Sequence, residues 1–560
     1  MTATVDHHDN PPAGVPRDVP AEVRSRRSML ALAAVESGRL LRHPAVLAAT
    51  ALSVWLLWRW GKGTVPVLHY ADIATQFPLA PLAGAALLAT NLAVLRPHRD
   101  GAVDLYGATR LSLARRTLAH LLSVLPLAAL GGVLVVADLA WLAGMPRSVG
   151  TPNLAEAAAG PALILLGGCL GVLLGRVWRS VAVAPLVLVV LAVGSLTLAD
   201  LYIGGHDQRS WVWLGALLRP VPLDPPPAAL LGRPATWHLV YLLGAAVVLG
   251  ALAVWRSQAQ ARAPRRAQAV TGAIVAAALA VTTGAAVIQT RPTSAALKAR
   301  RLAADSNPAA HQVCQRRGPA VYCVFPGFEP QIGLWEPIVR AVVAGVPPAA
   351  AARALPVTVA QRIGWARLFE EEGEAGSAFD PSRADDRPVA PIGTAWGRDG
   401  EALATSHARL ASNVAARVIG PADQVPEPGG EQPKPSAGAE PVRAAPDAGC
   451  NARAVVALWL AARASPHAAA ALRQQATDAR FPSIVFANDV DIDEPWWGVR
   501  EAEFALALLD RPSDQVTQIL WRNWDLLTSP ATTLERLGEL VGMQPPPHRA
   551  TAPEFGDPPC

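Results

Sequence analysis

Residues 181–199 read VAVAPLVLVVLAVGSLTLA, a run without one charged side chain. A bilayer hydrocarbon core about 30 Å thick needs about 20 apolar residues in helical form to cross it. A charged side chain at mid-helix costs about 2.5–3.5 kcal/mol on insertion scales, so long uncharged runs mark spanning segments. Working outward, six comparable runs occupy residues 43–58, 73–95, 118–142, 157–175, 237–255 and 267–289. They predict an all-α polytopic membrane domain of about seven transmembrane helices.

Composition agrees and localises the signal. The 560 residues are 51% hydrophobic and 17% charged, against about 25% charged in a soluble protein. Residues 1–290 carry 23 Lys and Arg against 13 Asp and Glu, whereas residues 291–560 carry 26 against 31. A basic, hydrophobic half therefore precedes a polar, mildly acidic one. This excludes a single soluble domain, a disordered chain and a fibrous repeat. The positive charge is dispersed between apolar runs, so the lipid bilayer is the expected partner and nucleic acid is not.

The charge between the runs alternates. The N-terminal tail and the second, fourth and sixth loops hold 17 Lys and Arg, and the other loops before residue 267 hold six. By the positive-inside rule the N-terminus is cytoplasmic. Seven crossings then put everything after Gln289 outside, in a multi-pass protein of the cell membrane. The first 42 residues are polar and Pro-rich, without a short apolar region ending at a small-residue cleavage site, so the first span is expected to act as a signal anchor.

Beyond residue 290 the chain predicts a smaller, mostly helical α+β extracytoplasmic domain. Low hydrophobicity at 370–401 and 421–448 predicts loop or disorder. Helices are expected over 335–344 and, as an amphipathic element, over 451–464. Strands are expected over 355–360 and 483–487. Ser513 is placed to cap a helix through Val516, Leu520 and Trp524. Thr532 with Glu535 reads as a capping box for a final helix that Gly542 stops. Four of the five cysteines fall outside, where disulfides persist. Gly318-Pro319 sits midway between Cys314 and Cys323. A hairpin centred there puts the two cysteines opposite one another, within bridging distance; two free thiols are the alternative. The partners of Cys450 and Cys560 stay open.

Catalytic motifs are absent from the sequence. There is no G-x-x-x-x-G-K-[ST], no H-E-x-x-H at any of the 12 histidines and no G-x-S-x-G, so neither catalysis nor a metal or cofactor is expected. The run from Asp489 through Asp491 to Asp493 opens like a calcium loop but has Glu494 where glycine is needed and Arg500 where glutamate is needed. Trp496 and Trp497 read as cover for a small core or as residues lying against the bilayer surface, with a ligand platform as the alternative. Small residues at Gly167, Gly168, Gly171 and Gly175 permit close helix contact, and Pro78, Pro81, Pro126 and Pro185 are placed to kink spans. Asp138, Glu156 and Asp200 lie near outer span ends.

The second cytoplasmic loop is the most informative. An acidic start, a break at Gly107-Ala108-Thr109 and a basic amphipathic segment lead into the third span. Such a segment can lie on the membrane with Leu105, Leu111 and Leu113 buried, leaving Asp104, Arg110, Arg115 and Arg116 for a partner. The bland alternative is a basic juxtamembrane loop.

Three segments carry a resemblance: residues 36–44 (ESGRLLRHP), residues 104–109 (DLYGAT) with 115–119 (RRTLA), and residues 217–222 (LLRPVP) with 230–232 (LLG). Over about residues 22–256 the chain resembles the permease subunit of type 2 ABC transporters, particularly those of high-GC actinobacteria. The resemblance implies an export permease working as a homodimer or with a paralogous permease. It further implies a separate cytoplasmic ATP-binding-cassette ATPase docked at Asp104, Tyr106, Gly107, Arg110, Arg115 and Arg116. The chain would divide into a tail and interfacial helix at 1–42, a six-helix permease-like domain at 43–256, a loop and seventh span at 257–290, and the outer domain at 291–560. That seventh span and outer domain depart from the family's usual six spans. Residues 321–328 (VYCVFPGF) and the helical tail look like a shortened, zinc-less relative of gluzincin aminopeptidase-like domains, without the motif for peptidase activity. The alternative function is a membrane-anchored extracytoplasmic binding or sensor protein.

Overall fold

The computed structural model describes residues 21–61, 63–104, 111–203, 213–217, 224–363, 389–420, 451–478, 483–484, 486 and 497–547. Each of the seven apolar runs lies on a helix. Helix α1 (Ala21–Leu41) leads into α2 (Pro44–Trp60) through a 59° bend. Pro44 opens α2, where a missing N–H costs nothing, and His43 Nδ1 accepts the Ala45 N–H at 3.3 Å. Then come α3 (Leu68–Ala74), α4 (Gln76–Arg99), α5 (Leu113–Leu122), α6 (Leu125–Ala143), α7 (Leu154–Val177), α8 (Val183–Ile203), α9 (Ala235–Gln260) and α10 (Arg265–Gln289). Among the described residues, five segments are long and apolar enough to cross a bilayer: Leu68–Arg99, Leu113–Ala143, Leu154–Val177, Ala235–Gln260 and Arg265–Gln289. The bent α1–α2 pair makes a sixth, and Val183–Ser195 is a shorter apolar helix. Exposed Trp237 and Trp255 sit near the two ends of α9, about 27 Å apart at the helical rise, as interfacial tryptophans do.

Helix α4 is the buried axis of this bundle, and the glycines of α7 let it be so. A Cβ on Gly167 would lie 2.5 Å from the Ala83 carbonyl oxygen, and one on Gly171 would lie 2.2 Å from that of Leu87. Thr90 Oγ1 donates across the contact to the Gly168 carbonyl at 3.0 Å. The small-residue stripe is thus occupied by contacts within this chain. The prolines expected to kink spans sit near helix starts instead. Pro78, Pro126 and Pro185 lie in the first turns of α4, α6 and α8, where ring and missing donor are tolerated, and Pro81 follows early in α4.

After α10 the chain forms α11 (Ala295–Ser306), strands β1 (Val313–Arg317) and β2 (Ala320–Val324), α12 (Ile332–Ala344), β3 (Val357–Gln361), β4 (Val389–Ile392) and α13 (Gly400–Ile419). Then follow α14 (Ala452–Arg463), α15 (Pro466–Asp478), a short pair β5 (Ser483–Ile484) and β6 (Trp497–Gly498), α16 (Val499–Leu509), α17 (Ser513–Arg522) and α18 (Leu534–Val541). The main sheet runs β1-β2-β3-β4, with β1 antiparallel to β2 and the other pairs parallel. The hairpin falls where the sequence put it: Cys314 faces Cys323 at 4.1 Å between Cα atoms, and they are bonded. Parallel pairing follows from α12, which returns the chain to the same edge before β3.

Several expectations need correction. Residues 389–392, placed in a disordered stretch, form strand β4, because Ala390 and Ile392 bury fully beside β3; the rest of 370–388 and all of 421–448 lie outside the described residues. Helix α14 is not amphipathic. Every residue from Ala454 to Ala462 is buried, since its charged groups sit only near its ends, and Asn451 caps it by accepting the Ala454 N–H at 3.2 Å. Ser513 begins α17 instead of capping it, with Pro512 in the cap position, and Asn523 breaks the helix before Trp524. The last helix is capped by Thr533, not Thr532, whose hydroxyl bonds to Leu526 O. Gly542 ends it at φ 64°. The strand expected over 483–487 is described only at Ser483–Ile484. Trp497 is buried in the core, and Asp489, Asp491, Asp493 and Trp496 lie outside the described residues.

Two stability experiments follow. A bulkier side chain at Gly171 should overpack the α4–α7 contact and cost about 1–3 kcal/mol. Gly171→Val should therefore lower the melting temperature of the detergent-solubilised protein, while Gly272→Val, where a Cβ meets open space, should change it much less. Glu501 is buried on α16, and desolvation raises its carboxyl from 4.5 to about 7 despite nearby Arg500. With a folded value above the unfolded one, the group is neutral in both states below pH 4.5 and costs stability increasingly as pH rises to 7. Glu501→Gln should stabilise the protein at pH 8 by about 1–3 kcal/mol relative to wild type and leave its melting temperature at pH 4.5 unchanged.

Candidate functional site

The two ends of the bundle have opposite chemistry. At the end holding α1, one ion-pair centre joins two helices. Glu36 of α1 is buried, and its Oε1 accepts from Arg39 and from Arg96 in the last turn of α4, each at 2.8 Å. Ser37 Oγ donates to Ser123 O, at the break between α5 and α6, at 3.4 Å. Ser112 caps α5 by accepting the Arg115 N–H at 3.4 Å. Thr117 Oγ1 and Ser257 Oγ, 2.7 Å apart, join α5 to α9. Gln260 Nε2 donates to Arg176 O at 3.3 Å, bringing the ends of α9 and α7 together. The segments assigned to the inner face by charge alone are therefore gathered at one end.

Of the expected docking residues, Asp104 is exposed, and Tyr106, Gly107 and Arg110 lie outside the described residues. Arg115 is exposed and bonds to Ser25 Oγ, while Arg116 is half-buried, with its Nε donating to Leu111 O at 3.0 Å. Arg115 thus faces outward, whereas Arg116 braces the start of α5. Around them Arg26, Arg27, Arg42, Arg99, Arg179, Arg256 and Arg262 are exposed. The face is strongly basic and amphipathic, suited to anionic lipid or an acidic protein surface.

At the other end the described parts of the segments after α2, α6 and α8 meet the described residues beyond α10. Val65 N–H donates to Trp396 O and Arg398 N–H to Gly63 O, both at 2.7 Å; Val149 N–H donates to Pro66 O at 3.0 Å. Arg147 donates to Pro330 O at 3.0 Å, and Arg301 donates to Leu230 O at 2.9 Å and Leu231 O at 2.7 Å. The contacts of Pro330, Trp396 and Arg398 follow the carboxyl ends of β2 and β4, the edge where open parallel sheets commonly bind ligands. Here that edge is pressed against the bundle. A relay of glutamines fixes it: Gln361 Oε1 accepts Phe325 N–H at 2.8 Å, Gln361 Nε2 donates to Gln331 Oε1 at 3.4 Å, and Gln331 Nε2 donates to Thr394 O at 3.4 Å.

Sequence reasoning named Glu156 only as a carboxylate near a span end. It anchors a buried network, accepting from Arg233 Nε at 2.8 Å and from Gln76 Nε2 at 3.0 Å. Asp72, also buried, accepts the Ile73 N–H at 2.6 Å and the Asn153 N–H. Asp72 escaped notice because it precedes the apolar run by one position; the Asn153–Glu156 spacing at the start of α7 was the available signal. On the opposite side of α3 lies a cavity of about 130 Å³ lined by Trp60, Tyr70, Ala71 and Asp138 among others. Its roof includes Thr64, Pro225 and Ala395. Asp200 has no described side chain.

Among the described residues no group of three or more His, Cys, Asp and Glu is placed to hold a metal ion. Comparison of the chain with protein-family models, with curated proteins and with solved structures finds no match.

Glu36 is buried while Arg39 is largely exposed, so the three partners should not contribute equally. Removing the buried carboxylate leaves two guanidinium groups without their acceptor, whereas removing Arg39 still leaves Arg96. Glu36→Ala should cost about 1–3 kcal/mol and Arg39→Ala under about 1 kcal/mol, read as melting-temperature shifts in one detergent.

Proposed function

We propose that the chain is the membrane-spanning permease component of a transporter driven by a separate cytoplasmic ATP-binding-cassette ATPase, working as an exporter and paired with a second copy or a paralogous permease. The observation that carries this reading is the link from the basic face to the buried axis. Helix α1 turns 59° from α2 and packs against α5, and the Glu36–Arg96 pair ties α1 directly to α4. A partner that pulls on α1 and α5 would act on the most buried helix in the bundle. In this reading the N-terminus is cytoplasmic and the domain after Gln289 lies outside. The chain holds no nucleotide-binding motif, so hydrolysis belongs to the partner, and Arg115 is the exposed docking contact with Arg116 as its brace.

A second reading, an outer binding or sensor domain displayed by the spans, is favoured by one feature. The outer domain's core incorporates Val65, Val67, Val149 and Leu230 from the bundle's loops, so it is seated on the bundle without a flexible tether.

Two experiments separate the possibilities. Affinity purification of the full chain from its own host in mild detergent should retain an ATPase subunit, and Arg115→Glu with Arg116→Glu should release it at unchanged permease yield. Absence of any nucleotide-hydrolysing partner from the wild-type preparation would favour the display reading. For orientation, with Cys450 and Cys560 replaced by Ser, a membrane-impermeant maleimide should label Lys298→Cys in intact cells and Arg262→Cys only after lysis. The reverse pattern would overturn both readings.

A further inference from the structure

The cavity between bundle and outer domain contains a charge problem. Asp138 lies on α6 about 8 Å from its outer end at the helical rise, within a segment long and apolar enough to span a bilayer. It is half-buried, it lines the cavity, and no hydrogen-bond or ion-pair partner reaches it among the described residues. The rest of the lining is mainly apolar or aromatic, with Leu57, Trp60, Tyr70 and Leu142 around it. A carboxylate at membrane depth is costly unless something compensates it, and such groups commonly mark ligand sites. Of the other carboxylates at this end, Asp72 and Glu156 already have donors. Asp138 has none among the described residues.

We propose that this cavity binds a small organic ammonium group, with Asp138 as its counter-ion and the neighbouring aromatic rings enclosing its apolar substituents. The volume suits it: a cavity of about 150 Å³ lined by apolar groups admits a benzene-sized molecule, and this one measures about 130 Å³. The chemistry suits it as well. Trp60, whose ring stacks on Phe77 at 4.9 Å between centroids, and Tyr70 bring aromatic rings to the lining; aromatic rings attract alkylated cations, an interaction worth about 0.5–2 kcal/mol, while Asp138 supplies the charge. A hydrated metal ion would find one carboxylate and too few oxygens. An anion would be repelled. The ammonium could be free in solution or be the headgroup of a lipid, and the shared chemistry is the same. Because the roof carries Ala395 of the outer domain and the walls belong to α2, α3 and α6, an occupant would touch both layers at once. The inference is independent of the docking face at the opposite end.

Choline and 3,3-dimethylbutan-1-ol have the same shape and differ in the charge of one atom, so they isolate the electrostatic part. Titrated into the full-length protein in nanodiscs of phosphatidylglycerol alone and followed by calorimetry, choline should bind saturably and the alcohol at least tenfold more weakly. Asp138→Asn should weaken choline at least tenfold. Ala71→Trp, which fills the cavity and keeps the carboxylate, should do the same and serves if the first variant fails to fold. Native mass spectrometry after reconstitution with phosphatidylethanolamine tests the lipid source. Retention of that lipid by wild type and its loss from Asp138→Asn would assign a headgroup, whereas choline binding without lipid retention would assign a free cation. Equal binding of choline and the alcohol, binding indifferent to both variants, or no binding of either cation source would overturn the proposal.

Discussion

The part of the chain after α10 does not close its own core, and the rest of the architecture depends on what closes it. Residues 63–68 leave α2 extended, and their backbone is bonded on one side to Trp396 and Arg398 and on the other to Val149. Their side chains Val65 and Val67 enter the same cluster as Phe328, Trp335 and Trp396. A segment of backbone with donors and acceptors satisfied from both sides cannot easily leave either, because each unmade buried bond carries the full desolvation penalty. The bundle and the domain after α10 are therefore one folding problem. The dependence runs both ways, since the loops after α2 and α8 gain part of their partners, at Trp396, Arg398 and Arg301, from the later half of the chain.

This arrangement explains why the alternation of charge and the alternation of contacts agree. Helices satisfy their own backbone and can cross hydrocarbon, whereas irregular segments must find partners elsewhere. In this chain they find them at two ends: arginine-rich segments around Glu36 at one, and the loops joined to the outer domain at the other. The arginine pattern is a property of the sequence alone, and the contacts are a property of packing. Their coincidence gives the two ends of the bundle distinct chemistry, with Glu36 at one and the Gln289–His238 contact at the other.

How legible each part was follows from the range of the forces involved. Hydropathic runs and the Cys314–Cys323 hairpin are local: a span needs its own apolar length, and a hairpin is fixed by a turn midway between two cysteines. These could be read directly. The cap at Thr533 was misplaced by one residue because Thr532 and Thr533 are chemically alike, and only the contact of Thr532 with Leu526 decides between them. Helix α14 was misjudged because periodicity cannot reveal the helices packed around it, α12, α13, α15 and α16 among them. Strand β4 was hidden in a Pro- and Asp-rich stretch, where its four residues matter only once β3 is beside them. The basic character of the segment before the third run was legible in its charge, yet the bond of Arg116 to Leu111 O was not, because a backbone acceptor carries no signature in sequence. Asp72, Glu156 and Arg233 come from three distant segments and become a network only in the fold.

Helix α4 touches both ends of this system. Near its start Gln76 donates to Glu156, and in its last turn Arg96 donates to Glu36. Between them its backbone lies against glycines of α7 too closely for any side chain to intervene. Such a helix can transmit a displacement along its length, since a close-packed rod resists compression, but transmission is not yet coupling. Coupling needs two discrete arrangements that each end favours differently. The glycine contact opposes large rotation of α4 against α7. The break at Thr75 and the 59° bend between α1 and α2 are where the backbone already departs from a continuous helix. Any second arrangement would then be reached by changing those two angles, with the α4–α7 pair moving as a unit.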